Sequence, residues 1–160
     1  MKTSSISEIK QELTNASPKE LLELCLRLVK YKKENKELLN YILFEAHDLP
    51  AYIENIKKEM DEEFTQINQS NLYFAKKSLR KILKSTNKYI KYTTSKEAEA
   101  ELLIYFCSKI KTSGIRIHKS AALKNLYNNQ IKKIKAVIET LHEDLQYDYT
   151  KQIELIDDDT

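Results

Sequence analysis

A chain of 160 residues with one glycine, Gly114, and two prolines, Pro18 and Pro50, has almost none of the punctuation that hairpins and tight β turns require. Leu, Lys, Glu, Ile and Ala, by contrast, favour helices. The expected fold class is therefore all-α. The length suits one domain with its own core. Cys25 and Cys107 each lie in an apolar run, Leu24-Cys25-Leu26 and Tyr105-Phe106-Cys107, so both are expected as free thiols that pack like small hydrophobes. The first residues lack the apolar stretch of a signal peptide, and no window reaches the ~20 apolar residues of a membrane span. A soluble, reducing, cytoplasmic setting is expected.

Capping signals divide the chain into about seven helices. Ser5 with Glu8 forms a capping box that opens a short helix ending near Asn15. Ser17-Pro18-Lys19-Glu20 combines an N-cap serine, a proline in the first turn and a glutamate at N3. The helix it opens is apolar around most of its circumference, from Leu21 to Val29, and is expected to be central. Asn35 can cap a third helix, and Asp48 a fourth that begins at Pro50. A polar joint, Asn68 to Asn71, leads into helix five from Leu72 to about Tyr92. Thr94 with Glu97 is a further capping box, for a helix six that ends before Thr112-Ser113-Gly114, with Gly114 as its C-cap. From Ser120 a helical period runs unbroken through Leu141 and Leu145, and past Asp148 it fades. The expected layout is one helical domain over 1–149, followed by a solvated acidic tail over 150–160.

Lys30-Tyr31, Glu37-Leu38-Leu39 and Tyr41 recur as Lys91-Tyr92, Glu101-Leu102-Leu103 and Tyr105, with a three-residue insertion. In both copies an apolar helix follows one that ends in Lys-Tyr, as in duplicated antiparallel hairpins. The architecture this implies resembles the stacked helix pairs of HEAT and armadillo proteins, or a closely related bundle. No diagnostic motif of those families is present, so no functional residue is carried over.

Charge gives the strongest functional signal. Residues 1–63 carry 10 basic and 13 acidic side chains, residues 64–138 carry 16 and 3, and residues 139–160 carry 1 and 8. On helix five, Lys76, Lys77, Arg80, Lys81, Lys84, Lys88 and Lys91 fall within an arc of about 140°, with Leu79, Ile82, Leu83 and Ile90 opposite. Lys124, Lys132 and Lys135 make a shorter arc on the last helix. If those helices lay side by side the arcs would merge into one cationic surface, which the acidic tail could loosely screen. Because only Arg27, Arg80 and Arg116 are arginine, bidentate reading of bases is disfavoured. The expected function is a non-catalytic interaction or scaffold module that presents this face to an acidic protein partner. The alternative is sequence-unspecific nucleic-acid binding by the same face, with Tyr73, Tyr89 and Tyr92 as possible stacking surfaces.

Signals for chemistry are weak. A chain with one glycine cannot build a glycine-rich phosphate loop, which removes the common nucleotide-dependent enzymes. Glu139 and His142 form only half of a di-iron ligand set. Glu45, His47 and Asp48 read as a helix end followed by a cap. No catalytic residue, metal site or cofactor is expected.

Overall fold

The computed structural model describes residues 3–157. Among them it is all-α, with eight α-helices and no strand. The described residues form two compact units, one within residues 1–44 and one within residues 45–160.

The first unit holds α1 (Ile6–Asn15), α2 (Pro18–Tyr31) and α3 (Lys33–Asn40), after which a π-helical turn begins at Tyr41. Both capping boxes form as the sequence requires: the Ser5 and Ser17 hydroxyls accept from the Glu8 and Glu20 amides, and each glutamate accepts from its cap's backbone N–H. Asn35 does not cap α3. Its side-chain amide donates to the Leu28 carbonyl at 2.8 Å, pinning α3 back along α2 as a hairpin. The expectation that α2 is central fails, because neither it nor α1 or α3 buries a single residue, and Leu26 is 46% exposed. A wide apolar arc records a need for cover, and within this unit most of what there is comes from α3.

The second unit holds α4 (Leu49–Thr65), α5 (Leu72–Thr93), α6 (Lys96–Thr112), a 3-10 turn (Ile117–Lys119), α7 (Ala121–Ile138) and α8 (Glu143–Glu154). The true centre is α6, which packs against α4, α5, α7 and α8. Its Leu102, Leu103, Phe106 and Cys107 are wholly buried, as befits a helix apolar on several sides. Phe106 meets Phe64 of α4 edge-on, with ring centroids 6.0 Å apart. Caps from Asp48, Asn71, Ser95 and Ser120 open α4, α5, α6 and α7. The α6 cap is one residue later than the expected Thr94, which takes a left-handed conformation at φ 52° instead. Gly114, at φ +76°, provides the turn after α6 that other residues resist.

Two further expectations are corrected here. There are eight helices rather than seven, because the last predicted helix breaks after Ile138 and His142 caps a new one through Asp144. Residues 150–157 are also not a solvated tail. Ile153, Ile156 and Asp157 are buried, the Tyr127 hydroxyl donates to the Ile156 carbonyl, and Lys111 donates to the Leu155 carbonyl at 3.2 Å. Asp158, Asp159 and Thr160 lie outside the described residues.

Candidate interaction surface

Helix α5 is strongly two-sided. Leu79, Ile82 and Ile90 are buried against α4 and α6, while Lys77, Arg80, Lys81, Lys84 and Lys91 are exposed on the other side. Lys76 and Lys88 sit half-buried at the edges of this row, over the rings of Tyr73 and Tyr89 at 5.7 and 4.9 Å. Lys77, Arg80, Lys81, Lys84 and Lys91 make no ion pair or hydrogen bond among the described residues.

The second arc is not an extension of this row. α5 and α7 pack on α6, and the α7 side chain that reaches α5 is Lys133, whose Nζ donates to Asn87 Oδ1 at 3.0 Å. At about 100° per residue, Lys124 and Lys135 point to the opposite side of α7 from Lys133. All three arc residues, Lys124, Lys132 and Lys135, are exposed, yet Lys135 is ion-paired with the buried Asp157. The acid from the chain's end is thus docked on one cation rather than spread as a screen.

The aromatic residues divide in the same way. Tyr89 and Tyr92 are half-buried and meet edge-on at 6.3 Å, as rim residues of the core. Tyr73 and Phe74 are exposed at the start of α5, their rings 5.5 Å apart. Sequence reasoning missed Phe74, although at about 100° per residue it falls beside Lys81 at the edge of the basic arc, a signal that could have found it.

Elsewhere the second unit pairs several of its charges internally. Burial works against the Lys57 ammonium, but Glu101 and Glu54, each at 2.7 Å, outweigh it and hold its pKa above the ordinary value. Asp61 accepts from the Tyr105 hydroxyl at 2.8 Å and pairs with Lys109 at 2.9 Å. Glu99 joins Lys96 of its own helix to Lys133 of α7, at 2.8 and 3.1 Å. Burial raises the pKa of both carboxylates, but these partners overcome it and leave each below its ordinary value. A lowered carboxylate stabilises the fold fully above its unfolded value and loses that contribution as the pH falls through its folded one. Thermal melting is therefore expected to be flat from about pH 7 to 5 and to decline below about pH 4. Glu99→Gln should cost about 1–2 kcal/mol at neutral pH and make the acid decline shallower. A variant whose pH profile matches the parent in height and slope would show that this bridge contributes nothing.

A polar groove of about 430 Å³ lies between α4, α6 and α8, lined by Lys57, Glu97, Glu101, Tyr105, Asp148 and Tyr149 among others. Burial and the Asp61 acceptor push the Tyr105 phenol up to about 12, and burial together with Glu101 and Glu97 raises that of Tyr149. Both phenols are driven away from ionisation, the reverse of what a nucleophile or general base needs. Glu139 and His142 stand at the α7–α8 junction, where the Glu139 carbonyl accepts from Gln146 and His142 caps α8. Asp48 caps α4, after Glu45 and His47. Among the described residues, no group of three or more His, Cys, Asp or Glu side chains is placed to hold a metal ion, and no helix is long and apolar enough to cross a membrane. Compared with family models, curated proteins and solved structures, the chain finds no match.

Proposed function

We propose that this chain is a non-catalytic interaction module whose α5 face docks an acidic protein segment. The observation that carries the reading is a contrast within one unit. Lys57, Lys96, Lys109, Lys133 and Lys135 are each matched to a carboxylate, and other exposed cations such as Lys58, Arg116 and Lys124 are scattered over several elements, whereas α5 leaves five in a row to solvent. From Lys77 to Lys91 the row spans about 21 Å, the length of an acidic helix of some 14 residues. The exposed Tyr73 and Phe74 at its start offer such a segment an apolar anchor. Neighbouring α4 exposes Glu54, Glu59 and Glu62, which disfavours a polyanion that wraps widely and suits a partner one helix wide.

Nucleic-acid binding by the same row is the second reading, favoured by the two exposed rings. Fluorescence anisotropy with an acidic amphipathic peptide and with a single-stranded oligonucleotide tests both. Lys77→Glu, Lys81→Glu and Lys84→Glu together are expected to weaken peptide binding at least tenfold at low salt without loss of helicity. Tighter binding of the oligonucleotide than of the peptide favours the second reading. Affinities indifferent to both salt and the substitutions overturn both.

Packing of four helices around α6 supports a bundle over an open HEAT-like superhelix for the second unit. The Lys-Tyr motif ends the first helix of two hairpins, α2–α3 and α5–α6, which supports an ancestral duplication. Two free cysteines, one of them exposed, fit a reducing, cytoplasmic setting.

A further inference from the structure

We infer that the N-terminal helical hairpin is a self-association surface, covered when two copies of this chain pack it antiparallel. In α1, α2 and α3, of 10, 14 and 8 residues, nothing is buried. Helices that short are marginal in water without a packed face. On α2 the apolar arc runs about 200°, from Leu24 at one edge through Cys25 to Leu26 at the other. α3, with the end of α1 beside Leu24, is too little to cover it. A groove of about 240 Å³ between α2 and α3, lined by Cys25, Leu28, Leu38 and Ile42 among others, stays open. Thirteen large apolar side chains up to Phe44 are exposed. Their combined exposure is that of about seven free side chains, on the order of 1,000 Å². A stable interface takes ~800 Å² from each partner, so the patch is of the right size for a dimer.

Charge selects the occupant. Residues 3–44 hold seven basic and six acidic side chains, so the unit has no single-sign field to draw a charged partner. The signs are segregated, however. The turn end of the hairpin carries Arg27, Lys30, Lys32, Lys33 and Lys36 against Glu34 and Glu37, the last ion-paired with Lys33 at 3.5 Å. The far end of α2 carries Glu20 and Glu23 against Lys19, and these two acids line a second groove, between α1 and α2, with Glu12 of α1. Along α2 the acidic pole adjoins the basic one, the step from Glu23 to Arg27 being about 6 Å, so the hairpin carries a charge gradient along its length. An antiparallel second copy sets each acidic pole against a basic one, and a two-fold axis makes the same patch serve both chains.

Sedimentation of the full chain, from about 1 to 100 µM, tests this together with the reaction rate of Cys25. Cys107 is buried and its thiol is pushed up to about 12, so Cys25 is the fast-reacting cysteine. The expected result is a mass approaching twice 18.8 kDa, with Cys25 labelling slowed several-fold as concentration rises. Leu22→Glu with Leu26→Glu should restore a single-chain mass and fast labelling while the second unit melts as before. A single-chain mass at every concentration overturns the inference. So does a dimer that survives the double substitution, or a labelling rate that ignores concentration.

Discussion

Leu103→Asp is expected to abolish the folded second unit, seen as loss of its cooperative melting transition and of most of its helical circular dichroism. Leu103 is wholly buried on the helix that touches every other helix of that unit. An unpaired carboxylate there costs several kcal/mol against a total stability of ~5 to 15. Leu26→Asp is its control. Leu26 is exposed, so the same substitution should leave the transition of the second unit where it was. Survival of the Leu103 variant with an unchanged melting temperature would remove α6 from the centre of the fold.

Removing residues 150–160 is the second large effect. It takes away Ile153 and Ile156, each buried and each worth about 1.5–3 kcal/mol. It also deprives the Tyr127 hydroxyl of its acceptor, a further ~1–3 kcal/mol for a buried donor left unsatisfied. The melting temperature is expected to drop by on the order of 15 °C or more. Heparin affinity should change little, because the acid docked on α7 is far around that helix from the side facing α5. A truncated protein that melts with the parent would reduce the C-terminal segment to surface decoration.

What the sequence disclosed, and what it hid, follows the range of the forces involved. Caps act over three residues, so Ser5, Ser17 and Asp48 could be read directly, and Thr94 missed by one position only because Ser95 offers the same hydroxyl. The two-sided character of α5 was legible because both faces are written in one helical period. The place of α2 was not, since a period reports apolar surface and not whether another element covers it. The break between α7 and α8 was masked by Leu141 and Leu145, which keep the period across a kink that side chains of Thr140 and Gln146 hold by bonding to backbone carbonyls. Tyr149, Ile153 and Ile156 also share a helical spacing, but the surrounding acids conceal it. The contrast that defines the candidate surface, between matched and unmatched lysines, depends on partners 34 to 48 residues away and could not be read locally.

The hub position of α6 has a consequence for hydrogen exchange. Four helices rest on it, so none of its interior amides can open while the second unit persists. Those between Leu102 and Ile110 should exchange only through global unfolding and report the full free energy of that unit. Amides of α1 and α3, which contain no buried residue, should exchange through local fraying within seconds to minutes. The chain thus has a cooperative half that opens all at once and a labile half whose protection is set by whatever covers it.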